Sequence, residues 1–253
     1  MIKGTIRSLF ARAGYDIRLL PRPENVGLTH PDIEPAFAED YTRCAPYTMT
    51  SVERMYALWQ ATRRVCADGT PGDIVECGVW RGGSSMLAAS TLLASGDTER
   101  RLWLYDTFEG MTEPTGRDIG IGGLRVADEW DRIVSGDDPI LCVASLEDVQ
   151  ANMASTGFPA DRLQYVQGPV EQTIPDQVPD AIALLRLDTD WYESTRHELE
   201  HLWDRLSPGG VLIIDDYGHW EGAREAVDEF FAGRLDAPLL VRIDYTGRIG
   251  IKR

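Results

Sequence analysis

Short apolar runs recur along the chain, and several stop abruptly at an acid or a glycine. They are Gly72-Asp-Ile-Val-Glu-Cys-Gly78, Leu102-Trp-Leu-Tyr-Asp106, Leu163-Gln-Tyr-Val-Gln-Gly168, Leu184-Leu-Arg-Leu-Asp188 and Val211-Leu-Ile-Ile-Asp215. Runs of this length, bounded by turn or helix signals, suit strands buried in a parallel sheet. Between them the apolar period lengthens to that of helices. Thr50 or Ser51 caps a helix whose face is Val52, Met55, Tyr56, Leu58, Trp59 and Val65, stopped by Gly69 and Pro71. Further helices are expected from the alanine- and leucine-rich stretch after Ser85, from Ser145, over Tyr192–Leu206 and over 220–232. Strand and helix alternate, so the expected class is α/β, a doubly wound sheet. Ser207-Pro-Gly-Gly210 reads as a sharp turn into the strand that ends at Asp215. The tail from Leu239 has two β-rich runs around Thr246-Gly247, a hairpin that makes the last strand antiparallel.

At 253 residues the chain is long enough for one large domain, expected at 47–253. Residues 1–46 carry prolines at 21, 23, 31, 35 and 46 and read as an irregular extension, with a helix at 2–13. Its end, around Phe37–Thr50, places aromatics beside hydroxyls and reads equally as a flap over a site or an ordered surface loop. Residues 107–137 are glycine-rich, with Gly110, Gly116, Gly120, Gly122 and Gly123, and are expected to form a lid over the site.

Charge narrows the partners. Lys and Arg number 25 against 41 Asp and Glu, a net −16, which argues against sequence-independent nucleic-acid binding and against an anionic membrane surface. No run approaches the roughly 20 apolar residues of a membrane span. The basic, faintly amphipathic N-terminus lacks the apolar core of a signal peptide. Cys44, Cys66, Cys77 and Cys142 show no metal-ligand spacing. Reduced thiols and a cytoplasmic location are expected.

Ligands of open α/β sheets sit beyond the carboxyl ends of the strands. If the strands ending at Asp188 and at Asp215-Asp216 are neighbours, these carboxylates converge. Like charges so close resist joint ionisation unless a cation relieves them, and a hard divalent ion with oxygen ligands such as Mg²⁺ is the simplest relief. Helix capping accounts for one of these acids and poorly for all of them. Glu76-Cys-Gly78-Val-Trp-Arg-Gly82-Gly83 is a strand, glycine turn and helix start, suited to close approach of a ligand to backbone N–H groups. Its spacing differs from the dinucleotide fingerprint. Asp106, one strand on, can accept both hydroxyls of an adenosine-type ribose. Trp80, Trp191 and Tyr217 are candidates for a cationic or acceptor pocket, with core packing the favoured role for Trp80. His197 and His201, four apart on one helix, are read as solvated rather than as a metal pair. His219 falls at the edge of the site.

Four segments carry a family resemblance: Val75-Glu-Cys-Gly-Val-Trp-Arg-Gly-Gly-Ser, Tyr105-Asp-Thr-Phe-Glu-Gly-Met, Leu187-Asp-Thr-Asp-Trp-Tyr-Glu-Ser-Thr and Leu206-Ser-Pro-Gly-Gly-Val-Leu-Ile-Ile-Asp-Asp-Tyr. Over 46–253 the chain resembles the macrocin O-methyltransferase family, Mg²⁺- and S-adenosylmethionine-dependent enzymes that methylate sugar hydroxyls of natural products. The resemblance implies the Rossmann-like class I methyltransferase fold with seven strands. It implies Asp188, Asp215 and Asp216 as metal ligands, Asp188 as general base, and Glu76, Gly78 and Asp106 as donor contacts. Around these, the expected donor-binding set is completed by Thr48, Met49, Arg81, Ser84, Ser85, Phe108, Gln167, Gly168 and Asp188 itself, with His219 a second catalytic candidate. The implied partner is a glycosylated small molecule, the implied product S-adenosylhomocysteine, and a homo-oligomer is compatible. Two alternatives stand beside this: a metal-dependent methyltransferase of catechol-like diols, and a non-catalytic module that binds the nucleoside.

Overall fold

The structure is a computed structural model that describes residues 32–136 and 139–253. The helix expected at 2–13 and most of the extension lie outside the described residues. The described chain opens with helix α1, Pro35–Cys44. Glu39–Arg253 forms one compact unit.

That unit is built on a seven-stranded sheet. Its strands are β1 (Asp73–Cys77), β2 (Leu102–Asp106), β5 (Leu163–Gln167), β6 (Ile182–Leu187), β7 (Leu206–Ile214), β8 (Val241–Arg242) and β9 (Arg248–Ile251), in the order β5-β2-β1-β6-β7-β9-β8. The first five run parallel, and β9 is antiparallel to both β7 and β8. The reversed last strand, the seven-strand count and the α/β class all match the sequence reading.

Helices cover both faces. On one side α2 (Val52–Ala67) packs on α3 (Gly83–Ala94), which meets α5 (Leu146–Ala154); on the other, the short α6 (Val170–Thr173) meets α7 (Tyr192–Leu202), which packs on α8 (Glu221–Phe231). The caps are those the sequence offers: the Ser51 hydroxyl accepts from Arg54 N, and Ser145 from Asp148 N. Strand alternation sorts the central residues. Val75, Cys77, Leu185, Leu187, Leu212 and Ile214 join Leu199, Leu202 and Val227 in the main core cluster. Ile74, Glu76, Leu184 and Arg186 face Leu58, Ser84 and Ala88, toward α2 and α3.

Register then places the site. Cys77 pairs with Leu187 and Leu187 with Ile214, so Gly78, Asp188 and Asp215 emerge level with one another. Backbone bonds continue across that edge, from Asp188 N to Cys77 O (2.8 Å) and from Asp215 N to Leu187 O (2.9 Å).

Two expectations change, and the glycine-rich stretch gains a definite form. Ser207–Gly210 is no turn before the strand: β7 already begins at Leu206, and these residues bulge out between the Ile182–Leu206 and Leu184–Val211 pairs. The glycine-rich stretch is largely ordered, as the hairpin β3 (Ile119–Gly120) and β4 (Leu124–Arg125) followed by α4 (Val126–Val134). Val126 and Ile133 of α4 are buried with Trp191, Trp220 and Ala223. His197 and His201 are part-buried instead of solvated, each ring nitrogen set against a backbone carbonyl, Ile174 O and His197 O.

Candidate active site

Asp188, Asp215 and Asp216 converge as expected, each offering one oxygen within 4.8 Å of the others. A fourth acid joins them. Asp190 takes a left-handed backbone (φ 68°), and its Oδ1 accepts from the Trp220 indole N–H at 2.6 Å. Burial, and then the charge of Asp188, push the Asp190 carboxyl up to about 7. Burial, followed by Asp190 and Asp188, lifts Asp216 well above the ordinary carboxylate range. The pair titrates as a unit, and without a cation it holds on to a proton.

Two arginines brace the cluster from below. Arg186 is buried inside β6 and meets Glu76 Oε1 at 2.5 Å, Asp188 Oδ2 at 2.7 Å, Asp215 Oδ1 at 2.7 Å and Thr50 Oγ1 at 2.9 Å. Arg54, from α2, pairs with Asp215 Oδ2 and with Asp244 Oδ2. Both oxygens of Asp215 are therefore engaged by guanidinium groups. Each still has a second lone pair, so a cation can share them. The carboxyls of Glu76, Asp188, Asp190, Asp215, Asp216 and Asp244 outnumber the two guanidiniums, and Asp190 and Asp216, on the cavity side, are the two that pair with neither. These residues fit a divalent cation.

A cavity of about 480 Å³ runs from this cluster to the glycine turn. Gly78 has φ +82°, and any Cβ there would collide with the Asp188 backbone carbonyl, so the β1 turn can pass β6 only as glycine. Asp106 holds the turn: its Oδ2 accepts from Val79 N at 2.7 Å and Trp80 N at 3.0 Å, and its Oδ1 from Phe108 N at 2.8 Å. Of the expected donor set, Thr48, Met49, Gly78, Ser84, Asp106, Gly168 and Asp188 line the cavity. The others do not. The Glu76 carboxylate is buried under the turn, taken by Ser84, Ser85 and Arg186. Arg81 pairs with Asp148 and lies over the Tyr47 ring. Phe108 is buried, and Gln167 is exposed at its strand end.

At the opposite end, His219 Nδ1 lies 3.0 Å from the Tyr245 hydroxyl, and burial, with Arg54 second, lowers its pKa, keeping the ring neutral at pH 7. Trp80 lines the cavity rather than the core. Trp191 is buried edge-on to Trp220, and Tyr217 is outside the cavity, its ring under Arg248. The segment over the site is fastened at three points: the Trp191 N–H donates to Thr112 O (2.9 Å), Tyr192 N donates to Asp118 Oδ1 (2.8 Å), and Gly120 bridges to Trp220.

Sequence reasoning missed Arg54, Arg186, Asp190, Asp118 and Trp220. Arg186 was visible as a charge inside an apolar strand, which has to be paired. Asp190 stood in the Asp188-Thr-Asp190 segment. Nothing local marks Arg54 or Trp220.

A parallel sheet with a reversed last strand, a glycine turn and an acid at the end of the next strand define a class I methyltransferase. The chain belongs to the family described as Macrocin-O-methyltransferase (TylF), which matches residues 27–249. It is 38% identical over 217 residues, 86% of this chain and 80% of the relative, to the 8-demethyl-8-(2,3-dimethoxy-alpha-L-rhamnosyl)-tetracenomycin-C 4'-O-methyltransferase of Streptomyces olivaceus. It is 34% identical over 209 residues, 83% of this chain and 79% of the relative, to the mycinamicin III 3''-O-methyltransferase of Micromonospora griseorubida. The solved O-methyltransferase NovP superposes with a TM-score of 0.69 at 30% identity, over 81% of each chain. No helix among the described residues is long and apolar enough to cross a membrane.

Proposed function

We propose that the protein transfers the methyl group of S-adenosylmethionine to a sugar hydroxyl of a glycosylated natural product, with Mg²⁺ at the carboxylate cluster. The carrying observation is that one cavity joins Asp106 and the Gly78 turn to Asp188, Asp190, Asp215 and Asp216. The named substrates of the relatives support a sugar on a larger scaffold.

Asp188, Asp215 and Asp216 would hold the ion, and its chemistry there is Lewis-acid polarisation of a hydroxyl that is otherwise a poor nucleophile. The remaining work falls to the chain. The Asp106 end receives the nucleoside, although three backbone donors leave Asp106 about one free lone pair, on Oδ1, for one ribose hydroxyl rather than both. The negative surround favours the sulfonium. Arg186 fixes the Asp188 carboxylate, which takes the hydroxyl proton. The hydroxyl oxygen then forms a bond to the methyl carbon, and the carbon–sulfur pair returns to sulfur, leaving S-adenosylhomocysteine. His219, neutral and held by Tyr245, borders the acceptor. The cytoplasm is the proposed location.

The test is methyl transfer to a panel of glycosides and catechols, with Mg²⁺, with chelator, and in Asp188→Asn. Transfer to glycosides that fails with chelator and in the variant is expected. Transfer that survives both eliminates the metal mechanism, and a preference for catechols replaces the acceptor.

A further inference from the structure

Beneath the carboxylate loop lies a buried acid that the chemistry above leaves unused. Glu198, on the inner face of α7, is fully buried. Its Oε1 accepts from the Thr189 hydroxyl at 2.9 Å. Its Oε2 has no oxygen or nitrogen partner among the described residues; the Cys77 thiol, a weak donor, is the polar group set against this carboxyl from β1. Thr189 lies between Asp188 and Asp190 and lines the cavity, and the Ser194 hydroxyl donates to its carbonyl at 3.3 Å. The left-handed turn at Asp190 follows immediately.

We propose that Glu198 is a positioning residue: from below, it pins Thr189 and so sets how Asp188 and Asp190 are presented to the cavity. The inference rests on the methyltransferase reading only for its kinetic arm. An ionised carboxylate with no exposure, a hydroxyl at one oxygen and only a weak thiol donor besides is costly, whereas a protonated one is far less so. Burial, the largest cause, raises its pKa well above the usual range, and the charges of Glu171 and Asp188 add to it, against the opposing hydrogen bonds from Thr189 and Cys77. A protonated carboxyl still accepts from Thr189 through its carbonyl oxygen. It does so without adding another negative charge beneath a site already crowded with them. The side chain therefore combines an acceptor for Thr189 with electrical neutrality, and glutamine would reproduce both.

The test compares wild type, Glu198→Gln, Glu198→Ala and Thr189→Val, each checked for folding by its thermal transition. Infrared difference spectra at neutral pH should show a protonated-carboxyl stretch in wild type that Glu198→Gln lacks, a readout independent of turnover. Glu198→Gln should keep kcat near wild type. Glu198→Ala and Thr189→Val should each lower kcat by ~10- to ~100-fold, the scale expected for a small misplacement of reacting groups. S-Adenosylhomocysteine affinity by calorimetry should stay unchanged, and the double variant should lose no more than either alone. No protonated-carboxyl band, full activity of Glu198→Ala, or a Glu198→Gln as impaired as Glu198→Ala overturns the proposal. If Glu198→Ala does not fold, Thr189→Val carries the kinetic arm. If wild type transfers no methyl group, the functional reading fails, while the infrared arm still decides whether Glu198 is neutral.

Discussion

Arg186 Nη1 stands 2.7 Å from Asp188 Oδ2, a guanidinium inside the sheet holding a carboxylate at its rim. The same cation reaches Glu76 and Asp215, so one buried side chain ties the end of β1, the carboxylate loop and the end of β7 together. A charge buried this deeply is tolerated because its donors are satisfied.

Removing it should therefore be severe. Arg186→Met leaves Glu76, Asp188 and Asp215 facing one another without their shared counter-ion. A loss of ~3–5 kcal/mol, the scale for breaking one side of a buried ion pair, is expected in urea denaturation. A variant as stable as wild type would contradict the bracing role.

The pH dependence follows from Asp190. Its folded pKa, about 7, lies above the ordinary value of 3.8. Between those values the native state holds a proton that the unfolded chain has released, so stability from this group is complete below pH 4 and drains away as pH rises through 7. Thermal melts should show wild type losing stability relative to Asp190→Asn across that window, and Mg²⁺ should flatten the difference. Other carboxyls, such as Asp148 and Asp244, are shifted down and contribute in the opposite direction at lower pH. For this reason the comparison with Asp190→Asn, rather than the bare profile, is the measurement.

Asp118 is 1% exposed and binds both Thr115 and the first amide of α7. Asp118→Ala leaves that amide without its partner, at a cost of ~1–3 kcal/mol. Limited proteolysis should then cut first within residues 107–136, and the Michaelis constant for the acceptor should rise more than that for the donor.

Gly78→Ala sets a methyl group against the Asp188 carbonyl in a backbone conformation that alanine avoids. S-Adenosylhomocysteine affinity by calorimetry should fall by at least ~10-fold, corresponding to ~1.4 kcal/mol. Unchanged affinity would show that the turn can yield without harm.

The readable parts of the sequence were those governed by local pattern. Apolar runs ending in acids located Asp106, Asp188, Asp215 and Asp216, and the glycine turn located Gly78. The α/β class and the reversed last strand followed from the strand and helix alternation and the final hairpin. What escaped depends on tertiary pairing. Arg54 reaches Asp215 from a helix far away in the chain, and Asp244 closes the same network from the terminal hairpin. Glu76 matches a donor-contact position yet is turned inward, because strand alternation places it on the face where Arg186 and Ser84 and Ser85 receive it. Trp80 went the other way: a positive φ in the glycine turn swings a large apolar residue toward the cavity.

The strap over the cavity meets the carboxylate machinery by hydrogen bonds at Thr112 O, the Asp118 side chain and the backbone at Gly120, by Val126 and Ile133 packed with Trp191 and Trp220, and by Arg117 over the Tyr192 ring. Two of these fastenings are main-chain groups, which any sequence can supply. On the proposed reading, a segment grafted between those anchors would reshape the acceptor side of the cavity, and it would have to keep the apolar contacts with Trp191 and Trp220, because Trp220 holds Asp190.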